Sequence, residues 1–340
     1  MDININNLLF YNEAMRRGNA LNKISPSDYT SMTPYFTDVK ADFDAAHAVT
    51  PSTEENAHAV TNATVARYVF HKWNKTKTIY NFSESFLAAL DGTEDSKSYA
   101  SIFAKMPFPC FAMNLPKNLG VDWCVVYTEP YTLLDGKTGT HILVYFTYDD
   151  CRHCGFCHTP CEDGANFDKS IMDVQIEKLQ EYDGTELDDE ERYQSAALQV
   201  TVSYYVVRAC YYLASKNAEI KEVKLPKNKR PLVRVLKNEP PKRVNINTYD
   251  VGYRIGKAFE QQLRHREDEI SCSEQMQGAP TSRTVRSHVR RAHWHHYWVG
   301  EGRTRLEVRW IEPVFVMGDM AADAVSHRVT GIGLYQNHTN

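Results

Sequence analysis

One stretch near the C-terminal end, residues 284–316, constrains the fold more than any other part of the sequence. It reads TVRSHVRRAHWHHYWVGEGRTRLEVRWIEPVFV and holds three of the five tryptophans of the chain. Gly300-Glu301-Gly302 divides it into two halves of extended character, which predicts a β-hairpin with a glycine-containing loop. Seven arginines and no lysine lie between Arg283 and Arg309.

Alternation of side chains across each strand sorts this hairpin into two faces. The apolar face carries Ala292, Trp294, His296, Trp298, Leu306, Val308 and Trp310. We expect this face to be buried with all three tryptophans, so that Trp298→Ala lowers the free energy of unfolding by about 3–5 kcal/mol. The opposite face is then a basic, histidine-rich surface, and the candidate function depends on it.

The residues expected to bind a partner on that surface are Arg290, Arg291, His293, His295, Tyr297, Arg305 and Arg309, although Arg290 falls on the other alternation face. Four interpretations stay open. In the first, the ribbon is purely structural and its Arg and His side chains only face the solvent. In the second, the surface holds phosphate or an acidic peptide through arginines and stacking rings. Alternatively, His293 and His295 ligate a metal ion, or they act as acid and base on a ribose 2′-hydroxyl. No phosphate loop, nucleophile elbow or paired-carboxylate metal motif occurs elsewhere, which favours a binding protein over an enzyme.

The net charge of −4 conceals an uneven distribution. Residues 281–316 sum to +4, so the remainder of the 340-residue chain sums to −8. A basic patch on an acidic body favours a local anionic partner over general coating of nucleic acid. No apolar run reaches transmembrane length, and the first residues lack the basic start and apolar stretch of a secretory signal. We therefore expect a cytosolic protein with reduced thiols.

The order of predicted elements indicates an α+β fold. Residues 1–106 are predicted to form an N-terminal helical region, in which apolar periodicity marks 6–21, 57–73 and 83–90 and a glycine stop follows at Asp91-Gly92. Residues 107–320 should form an α+β core domain that ends in the 284–316 hairpin, and residues 321–340 a tail.

The predicted core domain has a central antiparallel sheet and a long buried helix. Residues 121–128 and 141–148 should form a hairpin, because Asp135-Gly136 and Thr138-Gly139 lie between them. A third strand is predicted at 170–179. The apolar run VTVSYYVVRACYYLA predicts a buried helix over 189–215. Residues 251–264 should begin as a strand and continue as a helix.

Four of the eight cysteines lie within eleven residues. Cys151, Cys154, Cys157 and Cys161 have the spacing of a ferredoxin-type cluster run, but the sequence has no second cysteine set and places Glu162 where a proline usually follows. A zinc-stapled loop that also uses His153 or His158 is the alternative metal site. A loop of free thiols is the remaining interpretation, and zinc at this loop is the one cofactor that the sequence suggests.

The string HVRRAHWHHYW (288–298), followed after a glycine-containing gap by RWIEPVFV (309–316), resembles the C-terminal signature of a type V-A anti-CRISPR family that acts on effector production. LPKNLGVDWCVVY, CYYLAS and VGYRIG, at 115–127, 210–215 and 251–256, fall in the same order as in that family. The resemblance covers residues 105–318 and is strongest in the hairpin.

This resemblance implies a protein encoded on phages or plasmids that lowers the level of a CRISPR effector nuclease in the bacterial cytoplasm. Such proteins are thought to recognise the nascent N-terminal polypeptide of the nuclease during translation, with loss of its mRNA. The implied partners are that polypeptide and the ribosome or the mRNA, with no membrane. The rival hypotheses are a ribonuclease that uses His293 and His295 on the message, and a metal-stapled interaction protein of unrelated role.

The cysteine cluster generates a test of its own. If the four thiolates hold zinc or iron, elemental analysis of freshly purified protein should find the metal, and Cys154→Ser should remove it together with part of the thermal stability. Metal-free protein whose melting temperature is the same with and without Cys154→Ser would favour the free thiols.

Overall fold

The computed structural model describes residues 72–73, 75–132, 136–148, 153–169, 171, 189–224, 226–227, 232–233, 242–243, 245–275 and 288–316. The chain divides into two compact units, and both are discontinuous in sequence. The first unit contains residues 1–81, 107–160 and 221–250, and the second contains residues 82–106, 161–220 and 251–340. The predicted helix at 6–21, residues 57–71 of the predicted helix at 57–73, and the predicted tail lie outside the described residues. The predicted domain boundaries therefore stay predictions.

The described elements confirm an α+β fold with few helices. In chain order they are β1 (Thr78–Phe82), α1 (Glu84–Asp91), α2 (Ala100–Phe103), β2 (Cys110–Met113), β3 (Val121–Thr132), β4 (Thr138–Tyr148), β5 (His153–Glu162), α3 (Asp189–Leu213), β6 (Ile220–Val223), β7 (Leu232–Val233), β8 (Lys242–Arg243), β9 (Asn247–Val251), α4 (Tyr253–Gln275), β10 (His288–Arg290), β11 (His293–Val299), β12 (Arg305–Ile311) and β13 (Val314–Val316). Within these residues, no helix is long and apolar enough to cross a membrane.

A seven-stranded sheet has the strand order β5-β4-β3-β2-β1-β9-β6. The predicted hairpin of β3 and β4 is confirmed, and Gly136 in its turn has a φ of 82°, a conformation that glycine adopts without strain. The sheet is mixed rather than purely antiparallel, because β1 pairs in parallel with β2. Residues 124–127 and 142–146 are buried on both faces, which explains why these strands are almost continuously apolar.

The cysteine-rich stretch forms strand β5 at the edge of this sheet, so its interpretation as a loop is wrong for residues 153–162. Gly155, in the middle of the cysteine run, explains how the strand fits. A β-carbon at this position would overlap the ring of Phe146 on β4, so only glycine lets the two strands pack closely. The third strand predicted at 170–179 is not seen at Ile171, which is helical, and residues 172–179 lie outside the described part.

The long helix α3 is confirmed, and its residues from Val202 onward are mostly buried. One of them is a charged residue that the sequence did not single out. Arg208 is fully buried; its Nη2 atom lies 3.0 Å from Asp168 Oδ1, and its guanidinium carbon lies 3.3 Å from the ring centroid of Tyr204. A buried guanidinium requires such a carboxylate and ring, because an unpaired charge inside a protein is costly.

Helix α1 begins and ends as predicted. The Ser83 hydroxyl accepts a hydrogen bond from the Phe86 amide at 3.3 Å, and Gly92 follows the last helical residue. The two glycines of VGYRIG pack against this helix. Gly252 has a φ of 66°, and a β-carbon there would overlap the Phe86 ring, while one at Gly256 would overlap the Ser83 hydroxyl. The predicted change from strand to helix near residue 251 is confirmed by β9 and α4.

The C-terminal hairpin is confirmed in residues 293–311, with Trp294 directly opposite Trp310. Trp310 is 1% exposed; its ring contacts Phe86 and Tyr212 edge-on, and its Nε1 donates to Thr93 Oγ1 at 3.1 Å. Below it, β10 and β13 pair as a second short ladder. The two ladders are interrupted at Glu312 and Pro313, where proline has no amide hydrogen to donate.

The prediction that three tryptophans share a buried face is wrong for Trp298. This side chain is 55% exposed, whereas Trp294 is 7% exposed. The alternation itself is correct, because Trp298 does project from the same face. The reason for its exposure is its position beside the turn, opposite Leu306, whereas Tyr211 of α3 covers the ring of Trp294.

This correction moves the expected loss of stability from Trp298 to Trp310. Trp310→Ala should lower the free energy of unfolding by about 3–5 kcal/mol, because it removes a fully buried ring. Trp298→Ala should change it by less than about 1 kcal/mol, as expected of an exposed side chain. Urea unfolding of both variants measures the difference. Equal losses would contradict the burial described for these two rings.

Candidate functional site

The predicted binding surface is the polar face of the hairpin, which we define as Arg291, His293, His295, Tyr297, Arg305, Glu307 and Arg309. All belong to the second unit. The four arginine and histidine side chains at 291, 295, 305 and 309 are exposed, Tyr297 is 37% exposed, and His293 and Glu307 are half-buried. Arg290 is exposed on β10, in the separate lower ladder. The structure thus presents these residues to the surface, and their role in binding stays a prediction.

An aromatic and cationic strip runs along the middle of the polar face. His295 lies opposite Arg309, and the rings of His295 and Tyr297 are 4.2 Å apart between centroids with a tilt of 37°. The guanidinium of Arg309 lies 5.6 Å from the centroid of the Tyr297 ring. Such contacts hold the three side chains in one arrangement, so a ligand meets a preformed surface rather than three independent side chains.

Glu307 is an acidic side chain within the basic face. Its carboxylate accepts from Lys216 Nζ at 2.8 Å and from Arg305 Nη2 at 3.0 Å. The hydrogen bond from Lys216, opposed by partial burial and aided by nearby cations, lowers the pKa of Glu307. Glu307 therefore offsets part of the charge of Arg305, and Arg291 and Arg309 are the other cations of this face.

Three hydrogen bonds that join Lys216 and Asn217 to the backbone of β12 fix the position of this strand. Asn217 donates from Nδ2 to the Trp310 carbonyl at 2.8 Å, and its Oδ1 accepts from the Trp310 amide at 3.1 Å. The Lys216 amide donates to the Val308 carbonyl at 2.9 Å. The outer edge of β12 is therefore hydrogen-bonded to the segment that follows α3.

His293 and His295, the candidate metal ligands or catalytic pair, project from the same face two residues apart. His293 Nδ1 lies 3.5 Å from the Arg291 carbonyl, and His295 contacts Tyr297. In the described part of the chain, no three His, Cys, Asp or Glu side chains are grouped so that they could hold a metal ion. The described contacts of these two histidine rings include no carboxylate that would orient either ring as an acid or a base.

A histidine that the sequence analysis did not propose has the more defined surroundings. His296 Nε2 lies 2.7 Å from the Tyr211 hydroxyl, and the Tyr99 ring packs edge-on against the imidazole at 5.1 Å. Burial, with a smaller contribution from His295, lowers the pKa of His296. Alternation could have indicated this position, because it lies on the same face as Trp294. No feature of the sequence near Tyr211 indicates that its hydroxyl meets His296.

The cysteine cluster is described only in part. Cys157 and Cys161 are buried on β5, while Cys151 and the side chain of Cys154 lie outside the described residues. Burial raises the pKa of the Cys161 thiol, which favours the protonated form over the thiolate that a metal requires. The metal site at these four cysteines stays a prediction. Cys110, Cys124 and Cys210 are buried thiols, as expected from their scattered positions.

Comparison with known proteins agrees with the resemblance in the sequence. A family model described as AcrVA2-like, the anti-CRISPR type V subtype A2 family, matches residues 80–318. Among solved structures, the chain is similar to one described as the crystal structure of AcrVA2, with 17% sequence identity, coverage of 92% of this chain and 94% of that chain, and a TM-score of 0.44. No curated protein matches the sequence.

The surroundings of His296 predict a pH dependence of stability. Because its pKa is lower in the folded protein than in the unfolded chain, the unfolded state binds the proton more readily. Its stabilising contribution should be complete above the unfolded pKa of about 6.5 and should be lost as the pH falls below that value. His296→Gln should therefore show a smaller loss of unfolding free energy between about pH 7.5 and about pH 5.5 than the unmodified protein does. An identical loss in both proteins, measured by urea unfolding, would contradict this assignment.

Proposed function

We propose a function that starts from the family, because the chain belongs to the anti-CRISPR type V subtype A2 family. The proposed activity is to lower the production of a type V-A CRISPR effector nuclease. The chain recognises the nascent N-terminal polypeptide of that nuclease, at the ribosome in the bacterial cytoplasm, and the mRNA is lost as a consequence. In this proposal the protein is a binding module, and the loss of mRNA depends on host factors.

The observation that carries the proposal is the strip of His295, Tyr297 and Arg309 on the polar face. A tyrosine ring with an arginine over it offers an apolar surface and a fixed cation side by side. An extended peptide with an acidic side chain next to an apolar one fits this combination. The strip is exposed, and it is carried by a β-ribbon whose other side is anchored by Trp294 and Trp310.

The charge distribution favours a peptide over an RNA backbone. Glu307 lies within the polar face and pairs with Lys216 and Arg305, so that much of the positive charge is already matched. A surface that follows phosphates usually carries a continuous run of unmatched cations, and its affinity falls steeply with salt. The mixture of signs here is more typical of a protein interface with specific partners.

The first test measures binding of a synthetic peptide with the N-terminal sequence of the effector. Arg309→Gln should weaken binding by about tenfold or more, because a charge-assisted contact contributes about 1.5–3 kcal/mol. Tyr297→Ala should also weaken it. The matched control is Arg264→Gln, which removes an exposed arginine from α4, where its partner is Glu260. Equal affinity of Arg309→Gln and Arg264→Gln would contradict the proposed surface.

A second test in cells separates recognition of peptide from recognition of message. In one plasmid, the first codons of the effector gene are replaced by synonymous codons, so that the message changes and the peptide does not. In another, the reading frame of these first codons alone is shifted, so that the peptide changes and the message stays nearly the same. Recognition of the peptide predicts that synonymous recoding keeps the reduction of effector and that the frame shift abolishes it. The reverse result would point to RNA. Cleavage of naked RNA by the purified protein, lost in His295→Ala, would favour the ribonuclease instead.

A further inference from the structure

A cleft of about 530 Å³ lies beside the turn of the C-terminal hairpin, where its lining includes Trp298 from the apolar face and Arg305 from the polar face. Its lining includes Tyr99, Ser101, Lys105, Asp163, Trp298 and Arg305, all of which belong to the second unit. The volume is in the range of sites for small molecules. The proposed recognition of a peptide does not use this cleft, so its ligand is a separate question.

Trp298 gives the cleft a large exposed aromatic surface. The side chain is 55% exposed although its neighbours on the same face, Ala292 and Trp294, are buried. Covering such a ring with a planar ligand removes apolar area from water and adds a stacking contact. Trp298 therefore favours a ligand that has an aromatic ring.

The charges around the cleft favour a ligand that is also anionic. The Lys105 ammonium donates one hydrogen bond to the Leu306 carbonyl, and it has three hydrogens to donate. Arg305 uses one terminal nitrogen on Glu307 and has further donors on the same guanidinium. The acidic residue of the lining, Asp163, accepts from the Ala100 amide at 2.5 Å and so is partly compensated.

We propose that this cleft binds a small planar anion, with its aromatic ring on Trp298 and its phosphate or carboxylate on Lys105 and Arg305. A mononucleotide and an aromatic amino acid derivative both have this chemistry, since each joins a flat ring to an anionic group. The proposal does not depend on the proposed function, because His295, Tyr297 and Arg309, which carry that function, are not among the residues that line the cleft.

The experiment is titration calorimetry of the full chain with 5′-AMP and with N-acetyl-L-tryptophan, the phosphate and carboxylate forms of the proposed ligand. Adenosine, which lacks the anion, and inorganic phosphate, which lacks the ring, are titrated in parallel. At least one of the two planar anions should bind about tenfold more tightly than its isolated parts, because both contacts are needed. The better ligand identifies the source of the anion. Failure of both to bind would overturn the proposal.

Variants then assign the binding to the cleft. Trp298→Ala should weaken the better ligand by about tenfold, and Trp298→Phe should restore part of the affinity because it keeps a ring. Lys105→Met should weaken the same ligand, whereas Lys105→Arg should retain binding because it keeps the cation. Arg264→Gln is the matched control, since Arg264 is exposed on α4 and does not line the cleft. Binding that survives Trp298→Ala, or that is lost in Arg264→Gln, would overturn the assignment.

Discussion

Trp310 and its partners set the orientation of the C-terminal hairpin. The residue has a large apolar ring, an indole N–H and two backbone groups, and neighbours within the second unit satisfy all of them. Phe86 and Tyr212 cover the ring, Thr93 accepts from the indole, and Asn217 binds both backbone groups. The indole N–H of a buried tryptophan usually has a hydrogen-bond partner, and Thr93 is that partner for Trp310. Because the ring is held in this way, the opposite side of the strand must face outward, and that side carries the candidate functional residues.

Two consecutive tyrosines connect helix α3 to both strands of the hairpin. Tyr211 packs edge-on against Trp294 of β11, and Tyr212 packs edge-on against Trp310 of β12. Consecutive helical positions point about 100° apart, so one helix reaches two strands without any change in its backbone. The hydroxyl of Tyr211 also contacts His296, which links the ionisation of that histidine to the same packed interface. Both the stability and the pH response of the hairpin therefore depend on this pair.

The sequence predicted what depends on local periodicity and failed where tertiary contacts decide. The faces of β11 and β12 followed from alternation, and the helix stop at Gly92 followed from glycine at its end. The exposure of Trp298 did not follow, because alternation names the face of a residue but not how far the covering helix extends. For the same reason the strand at the cysteine run was missed. Its pairing depends on the absence of a side chain at Gly155 beneath Phe146 of another strand, and no property of the run itself indicates that contact.

Register is what keeps two different surfaces on one short strand. Tyr297 and Trp298 are adjacent in sequence, yet they lie on opposite faces, one on the polar strip and the other in the cleft. A slip of one residue in β11 would exchange them and would bury a polar histidine in place of Trp294. The hydrogen bonds of Asn217 to Trp310 oppose such a slip, because they fix β12 to the segment after α3 while Trp294 is fixed against Tyr211. Since neither anchor involves Tyr297 or Trp298, substitution of either of these two residues can change one surface without altering the position of the other.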